Sequence, residues 1–480
     1  MKQKLIGLAA CLLALIVAFA ATGLEKDTIL ERYHQHLESP NASLVSEGSG
    51  ASLRTKLPIV TIDTHGEAIS PDGTPKAEQT IADICFYDRQ GELNSLENEP
   101  DTHVRAHIRV RGNSSRYFMK KQYKICPVDD NGVDLDVKLL GMASSEDWVL
   151  GAPFLDRTLI RNYMAYNVCG QVMPYTPEVR FCEGYVNGEY MGLYLLTEQI
   201  QVGKKHVNIS QTRKGSVSTG YLLRVDRYNP AADNLDNYTS YTYNLSSSVE
   251  ILYPVAKKIT EAQQEWITND FSEFEHALYS FDYNTEDWGY RRYIDVGSFV
   301  DYFILNEFMQ NYDAGSYSTY LYRDLQGKIS MGPVWDFNNA FDNYMETAFD
   351  GTGIRMTSGT WYTMLIRDEA FVNKVIARYR QLRRTVLSQR YLLGYIDDVV
   401  AYLGDAIDRN YAVWGRAFEP EKLDYRDKLE PDSRNPRSYE EAIEQLKDFI
   451  VTRGDWLDEH IADLKEFSSP NANKKMNNAK

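Results

Sequence analysis

The sequence predicts an α+β protein in which strands occupy the first part of the chain and helices the second. Strand-like segments dominate from residue 57 to about residue 205, and Val104–Val110 alternates apolar with polar residues as a half-buried strand does. From Glu261 onward, apolar residues recur at helical spacing. The predicted helices cover about 261–280, 296–311, 369–389, 392–411 and 439–465. Strands in one stretch followed by helices in another are typical of an α+β fold with segregated parts.

Local signals place further elements in this order. Asn187-Gly188 lies between Val186 and the apolar run Leu193–Leu196, and an Asn-Gly pair between two strands favours a tight hairpin. Residues 156–168 have helical periodicity, so one helix is expected among the strands. A later strand is predicted at 220–225.

The N-terminus has the pattern of a signal peptide. Lys2 and Lys4 precede an apolar run from Leu5 to about Ala21, and Ala18-Phe19-Ala20 fits a peptidase site. We therefore expect residues 1–20 to be removed and the protein to be secreted or held at the cell surface. An uncleaved membrane anchor is the alternative, because the apolar run is near the lower length limit for a span.

Composition and periodicity together divide the rest of the chain into a linker, two lobes and a tail. Residues 21–56 are mostly polar and rich in small residues, which predicts a linker with a short helix near 27–37. The β-rich lobe is predicted at 57–205 and the mainly helical lobe at 206–466. Residues 467–480 are rich in Asn and Lys, so a disordered tail is expected.

The charge balance argues against nucleic-acid partners. The formal net charge is −16, from 52 Lys+Arg against 68 Asp+Glu, and the chain has no long basic run. A nucleic-acid binder needs a positive field to displace counterions. No segment after the signal peptide is apolar enough to span a bilayer, so no stable membrane span is expected after cleavage.

Four cysteines remain after the predicted cleavage. An even number of cysteines in an exported chain permits two disulfides, and four small buried thiols are the alternative. The sequence leaves both open for Cys85, Cys126, Cys169 and Cys182.

A basic turn is the first candidate functional segment. Arg111–Ser115 follows a predicted strand and contains Gly112, Asn113 and Ser114, and Lys120 and Lys121 come shortly after it. Such a turn offers backbone N–H groups, hydroxyls and flanking positive charge, which suits a polyphosphate. A solvated turn with charged flanks is the alternative interpretation.

Glu198 comes directly after an apolar strand. A buried Glu there could hold Lys120 or Lys121 in place, as the Lys–Glu pair of protein kinases does. A surface position is the alternative for an isolated Glu.

Two aspartates lie at the ends of regular elements. Asp313 follows the predicted helix 296–311, and Asp336 lies in Gly332–Asn338, after the predicted strand 320–322. Two carboxylates in these positions can orient a hydroxyl nucleophile and hold Mg²⁺ on ATP phosphates. A carboxylate pair also fits glycoside hydrolysis, and isolated aspartates often only cap helices or turns.

Taken together, these segments resemble the spore coat protein H (CotH) kinase family over about residues 57–345. The resemblance rests on motifs in the family's order: Arg111–Ser115, Lys120-Lys121, Trp148–Leu150, Asp156, Arg161-Asn162, Val186–Tyr194, Glu198, Gly220–Leu223, Asn306-Glu307, Asp313 and Val334–Phe337. It implies a divergent, bilobal protein-kinase-like fold. It also implies an enzyme that transfers phosphate from ATP, with Mg²⁺ or Mn²⁺, to Ser or Thr of protein substrates such as coat proteins.

The resemblance also assigns roles to individual residues. Asp313 would be the catalytic aspartate and Asp336 the metal-binding one. Lys120 or Lys121 would contact phosphate with support from Glu198. The turn residues Arg111, Asn113 and Ser114 would complete the nucleotide site.

Two positions depart from the family pattern. Ser318 stands where the family often has Asn after the catalytic aspartate, and Asn338 stands where it often has a second Asp. These residues would join Asp336 as metal ligands, although a hydroxyl or amide binds a hard cation less strongly than a carboxylate. A catalytically weak or inactive pseudokinase that acts as a surface or coat assembly scaffold is therefore the alternative function.

Overall fold

A computed structural model describes residues 29–242 and 247–469. The predicted signal peptide 1–20 and most of the predicted tail lie outside the described residues. In chain order the strands are β1 (Arg54–Thr55), β2 (Ile59–Asp63), β3 (Thr80–Tyr87), β4 (Asn94–Ser95), β5 (Thr102–Val110), β6 (Tyr123–Val128), β7 (Trp148–Gly151), β8 (Val179–Val186), β9 (Glu189–Glu198), β10 (Tyr221–Arg227), β11 (Ser247–Tyr253), β12 (Thr319–Arg323) and β13 (Ile329–Met331). The helices are α1 (Gln35–Glu38), α2 (Arg161–Cys169), α3 (Tyr238–Thr242), α4 (Glu261–Leu278), α5 (Val296–Met309), α6 (Tyr362–Leu365), α7 (Glu369–Leu382), α8 (Gln389–Leu403), α9 (Asp405–Trp414) and α10 (Tyr439–His460).

Seven strands close into a barrel in the order β2-β3-β5-β6-β7-β9-β8. Most neighbours pair antiparallel, and the parallel pairing of β2 with β8 closes the ring. Successive side chains of a strand point to opposite faces, so Val104, Ala106 and Ile108 of β5 all enter the barrel core. The alternation seen in the sequence of β5 is therefore the alternation of its burial.

The second sheet follows the barrel in sequence and has the order β11-β10-β12-β13. The end of β10, the loop before β12 and the loop after β13 carry the polar residues described below. The helices that follow bury their apolar residues in one large core together with this sheet. The mixed α+β class predicted from the sequence is confirmed.

Most predicted helices are present with shifted ends. The predicted helix 392–411 is two helices, because Gly404 has a φ of 52° and breaks the run between α8 and α9. The prediction for 369–389 was too long, since α7 ends at Leu382. The Asn187-Gly188 hairpin is confirmed: both residues have positive φ, and Val186 pairs with Glu189.

Residues 29–56, where a linker was expected, pack on the folded chain. Arg32 donates hydrogen bonds to Asn167 Oδ1 at 2.9 Å and to the Thr176 carbonyl at 2.6 Å. Gln35 Oε1 accepts from the Phe181 backbone N–H at 2.7 Å. Several of its polar side chains therefore reach buried partners, and its helix, α1, is shorter than predicted.

All four described cysteines are free thiols, so the disulfide alternative is not formed in this structure. Cys126, Cys169 and Cys182 are buried, and Cys85 is half-buried. Separately, no helix among residues 29–242 and 247–469 combines the length and apolar character needed to cross a membrane.

Candidate active site

A cleft of about 1410 Å³ is lined by residues of barrel strands β5, β6, β7 and β9 and of strands β10, β11 and β12 of the second sheet. Seven of the predicted site residues line it, from three separate parts of the chain: Arg111, Asn113, Ser114, Asp313, Ser318, Asp336 and Asn338. Lys120, Lys121 and Glu198 are not among its lining residues. The fold thus brings together the turn, the two aspartates and their neighbours, of which Arg111 and Asn338 are 227 residues apart in sequence.

The basic turn depends on one glycine. Gly112 has a φ of 113°, where glycine is strongly favoured, and a Cβ there would overlap Ser115 Oγ and lie 2.7 Å from Gln122 Nε2. The Arg111 N–H donates to the Gln122 carbonyl at 3.1 Å, which continues the β5–β6 ladder into the turn. The turn therefore carries Asn113 out to the cleft on a fixed backbone.

Asp313 is held by a tight loop after α5. Its carbonyl accepts hydrogen bonds from Ser316 N at 3.1 Å and Tyr317 N at 2.8 Å, so the loop folds back on itself. The residue is 7% exposed. Its carboxylate Oδ2 accepts one hydrogen bond, from Asn339 Nδ2 at 3.2 Å, and its Oδ1 lies 4.0 Å from Arg227 Nη2.

Asp336 lies in the loop after β13 with a φ of 58°. A non-glycine residue there is costly by about 1 kcal/mol or more and persists only where its surroundings hold it. Tyr166 supplies one restraint, since its hydroxyl accepts from the Asp336 N–H at 3.0 Å, and Asn162 Oδ1 accepts from Phe337 N at 2.7 Å. The Asp336 Oδ1 accepts from Asn338 Nδ2 at 2.9 Å.

The two carboxylates interact electrostatically. Burial raises the pKa of Asp313 to about 6, and the negative charge of Asp336 adds to the increase. The Arg227 guanidinium opposes this effect in part. Burial also lowers the pKa of Arg111, and the Asp336 charge counteracts that decrease. The site therefore combines a like-charged carboxylate pair with an arginine on the barrel side.

Lys120 and Lys121 point away from this pair. Lys120 is 1% exposed, and its Nζ donates to the Leu193 carbonyl and, at 2.8 Å, to Asn410 Oδ1 of α9. Burial lowers the pKa of Lys120 to about 7. Lys121 Nζ donates to the Arg116 carbonyl at 2.9 Å. Both amines therefore bind backbone or amide oxygens of the protein itself.

Glu198 is fully buried at the end of β9 with partners of its own. Its Oε1 accepts from the Tyr175 hydroxyl at 2.7 Å and from Glu178 N at 3.2 Å. Its Oε2 lies 3.4 Å from His206 Nδ1, and the charge and hydrogen bonding of Glu198 raise the pKa of His206 despite its burial.

The predicted pairing of Glu198 with Lys120 or Lys121 is therefore not formed, and the prediction needs correction. Lys120 contacts β9 at Leu193, and five strand residues at about 3.4 Å each place Glu198 roughly 17 Å further along. Lys120 and Glu198 both contact or belong to β9, but they lie at different points along this strand.

Sequence reasoning missed three residues that line the cleft: Asp226, Arg227 and Asn339. Asp226 and Arg227 are a charged pair that ends the apolar strand β10, and that contrast was a usable signal. Asn339 follows Asn338 directly, but a run of two amides carries no chemical signature. Its hydrogen bond to Asp313 depends on how two distant loops meet.

The donor set suits a cation that also binds phosphate. Within the described residues, no group of three or more His, Cys, Asp or Glu side chains is placed to hold a metal ion by itself. Mg²⁺ is usually held by one or two carboxylates, with phosphate oxygens and water completing its shell. A cation would also offset the Asp336 charge, which together with burial raises the pKa of Asp313. The carboxylate of Asp336 fits that requirement, with Asp313 close enough to interact with it electrostatically.

The fold and the cleft together define an α+β protein with a seven-stranded barrel and a cleft in which two aspartates, Asp313 and Asp336, are combined with a glycine-dependent turn that carries Arg111. Comparison with protein families adds the particular family. The family model described as CotH kinase protein matches residues 108–457, most of the chain and every cleft residue discussed above. The chain belongs to the CotH kinase protein family. A search of curated proteins found no match.

Proposed function

We propose that the protein is an exported, metal-dependent protein kinase that transfers the γ-phosphate of ATP to Ser or Thr of extracellular or coat proteins. Membership of the CotH kinase family supports a kinase-like role. The observation that carries the proposal is the coupled pair Asp313 and Asp336 in one cleft with the Arg111–Ser115 turn. In this proposal the barrel is the N-terminal lobe of a bilobal kinase, and the second sheet and helices form the C-terminal lobe.

Asp313 is the proposed catalytic residue. A general base works best when its pKa is close to the operating pH, and burial together with Asp336 raises the pKa of Asp313 to about 6. At neutral pH the carboxylate is mostly ionised, yet it is more basic than an ordinary aspartate. It can accept a hydrogen bond from a substrate hydroxyl and receive its proton during transfer.

Asp336 is the proposed metal-binding residue, with Asn338 and Ser318 as neutral oxygen donors. A bound Mg²⁺ or Mn²⁺ would neutralise charge on the transferred phosphate. The Tyr166 and Asn162 hydrogen bonds hold the backbone of Asp336 and Phe337, and the Asp336 carboxylate accepts from Asn338, so little reorganisation is needed to receive a cation.

The nucleotide would lie along the cleft, with its phosphates near Arg111, Asn113 and Ser114. Arg111, which is half-buried and interacts electrostatically with Asp336, supplies positive charge on the barrel side. Apolar side chains line another part of the same cleft and suit a purine ring: Val149, Leu195, Leu222 and Leu252. In this proposal Lys120 supports the nucleotide site by stabilising the barrel and does not contact the nucleotide, because its amine is already bonded to Leu193 and Asn410.

A transfer assay tests the proposal. Purified protein lacking residues 1–20 is incubated with γ-labelled ATP and an acceptor protein, with and without Mg²⁺ or Mn²⁺. We expect metal-dependent labelling that is lost in Asp336→Asn and kept in Asp130→Asn, an exposed turn residue that serves as the matched control. Equal labelling by the wild type and Asp336→Asn would reject the assigned site. Nucleotide binding without any transfer would instead indicate the scaffold function of a pseudokinase.

A further inference from the structure

Arg227 lies where the barrel side and the helical side of the cleft meet. With the Asn113 amide oriented so that its oxygen faces the guanidinium, Asn113 accepts from Arg227 Nε at 3.0 Å and from Nη1 at 3.3 Å. The opposite edge of the guanidinium, Nη2, lies 4.0 Å from Asp313 Oδ1. The Cζ atom of the group lies over the Tyr317 ring, 4.1 Å from its centroid. One side chain therefore contacts the turn and two residues of the Asp313 loop.

Other arginines of the same sheet are used differently. Arg224 makes a 2.6 Å ion pair with Glu250, and Arg323 pairs with Asp270. Arg227 has its two carboxylate contacts, Asp226 and Asp313, at 4.0 Å each, and its side chain is 49% exposed. Its charge is thus held less tightly by the protein than theirs. Its best hydrogen bonds go to an amide on the far side of the cleft.

We infer that Arg227 is a positioning residue that ties the Gly-Asn-Ser turn to the loop carrying Asp313, so that nucleotide binding at the turn and placement of Asp313 are coupled. The inference rests on the proposed function for its catalytic consequence. The coupling itself is a property of the fold. Asn113 belongs to the barrel and Tyr317 to the loop before β12, and Arg227, at the end of β10, is bonded to the first while it stacks on the second.

The chemistry of arginine explains why this residue type fits. A guanidinium donates in its plane and stacks through its face, so one group can hold Asn113 by its edge and Tyr317 by its face together. Lysine has the same charge but no planar fork, so it cannot keep both contacts. The inference therefore predicts different results for the loss of the charge and for the loss of the fork.

A double-mutant cycle measures the coupling, with KM for ATP and kcat as separate readouts. Asn113→Ala should raise KM roughly 3-fold to 10-fold and leave kcat within about 2-fold, because only the turn is released. Arg227→Gln should raise KM by a similar factor and also lower kcat about 10-fold, because both the turn and the Asp313 loop are released. In the Arg227→Gln background, Asn113→Ala should raise KM by a clearly smaller factor than in the wild type, because the bridge is already lost and only the direct phosphate contact of Asn113 remains to be removed. Additive KM effects would overturn the inference.

Two further variants test whether Arg227 acts by bridging Asn113 and the Asp313 loop or only by its positive charge. Arg227→Lys should keep the raised KM of Arg227→Gln, since the charge is retained and the fork is lost. Wild-type kinetics in Arg227→Lys would show that charge alone matters and would overturn the bridge. Arg105→Gln, an exposed arginine on the barrel exterior, is the matched control and should leave KM and kcat unchanged.

A measurement that needs no activity distinguishes this inference from the proposed function. Amide hydrogen exchange should become faster in both 111–117 and 312–318 in Arg227→Gln, and in neither segment in Arg105→Gln. If the wild type transfers no phosphate but the exchange result holds, the proposed function fails and the bridge stands. If exchange is unchanged in Arg227→Gln, the bridge is rejected whatever the transfer assay gives.

Discussion

Glu307 and Asp313 lie only six residues apart at the end of α5, and both are buried, yet their surroundings differ sharply. The Glu307 carboxylate pairs with the fully buried Arg453 and accepts hydrogen bonds from Arg355 N at 2.9 Å and Met356 N at 2.6 Å. The Asp313 carboxylate has one amide donor, at 3.2 Å. The Glu307 carboxylate therefore has an ion pair and two backbone donors, whereas the Asp313 carboxylate has a single hydrogen-bond donor.

The difference in hydrogen-bond partners distinguishes Glu307, which stabilises the fold, from Asp313, which faces the candidate site. Arg453 also donates to the Gly351 and Gly353 carbonyls, so Glu307 and Arg453 together fasten the 351–356 segment to α5. Asp313 instead faces a cleft and a second carboxylate, and its pKa is raised to about 6 by burial and by Asp336. Burial alone does not mark a functional carboxylate. What marks one is burial without enough donors.

The largest expected effect is on catalysis. Asp313→Asn should lower kcat by about 10²-fold to 10⁴-fold, because a positioned general base contributes on that order. The wild-type rate should also fall as the pH drops through the pKa of Asp313, where the base takes up a proton; that pKa is about 6 without metal, and a bound cation lowers it. A pH profile of phosphate transfer between pH 4.5 and 8 measures both effects. A wild-type profile that is flat over this whole range, or an Asp313→Asn rate near that of the wild type, would contradict the assignment.

The next largest effect is on stability, at the other carboxylate. Glu307→Gln should destabilise the fold by roughly 3–5 kcal/mol, since it leaves the buried Arg453 guanidinium without its counter-charge. Chemical denaturation at pH 7 measures the loss. A loss below about 1 kcal/mol would mean that the backbone carbonyls alone satisfy Arg453, and the contrast between the two carboxylates would then fail.

These residues also indicate how far the sequence alone could lead. Helix α5 was predicted within two residues of its end, because its apolar periodicity is local information. Asp313 and Asp336 were found as polar residues after regular elements, and the fold brings both to the cleft. Lys120 was misplaced because its burial depends on Asn410, which is 290 residues away and comes with a helix that packs on the barrel.

The partners of Arg227 and Glu198 also depend on the fold and not on the local sequence. Nothing in the local sequence of Arg227 signals its contact with Asn113, which arises only when β10 and the turn meet across the cleft. Glu198 was expected to pair with a lysine, but it lies five residues along β9 from Leu193, which Lys120 contacts, and it bonds Tyr175 and lies near His206 instead. Local pattern predicts elements and their ends, whereas partner choice across the fold is non-local.

A smaller effect should appear in the stability of the catalytic variant. Because the pKa of Asp313 is higher in the folded state than its usual 3.8, the native state binds the proton more tightly, and stability falls as pH rises through about 6. Asp313→Asn should therefore stabilise the fold at pH 8 by about 1–3 kcal/mol, the upper end being the full shift at 1.36 kcal/mol per pKa unit. The gain should vanish near pH 3.5. Melting temperatures of both proteins at the two pH values measure it, and destabilisation at pH 8 would contradict the raised pKa.

The smallest expected effect concerns the neutral donor beside Asp336. Asn338→Asp adds a carboxylate where the family often has one and should raise Mn²⁺ affinity by roughly 3-fold to 10-fold, because hard cations bind anionic oxygens more strongly. Isothermal titration of Mn²⁺ in the presence of ADP measures the change. Unchanged affinity would place Asn338 outside the metal shell. The matched control, Asn131→Asp in an exposed turn, should have no effect.

The central claim is that the cleft containing the under-satisfied carboxylates is where metal and nucleotide meet. Electron paramagnetic resonance of Mn²⁺ with ADP tests this most directly, since bound and free Mn²⁺ give distinct signals and no turnover is needed. We predict that the wild type binds Mn²⁺–ADP and that Asp336→Asn weakens binding at least about 10-fold, the order expected for loss of the one charged ligand. Equal Mn²⁺–ADP affinity in the wild type and Asp336→Asn would contradict the account.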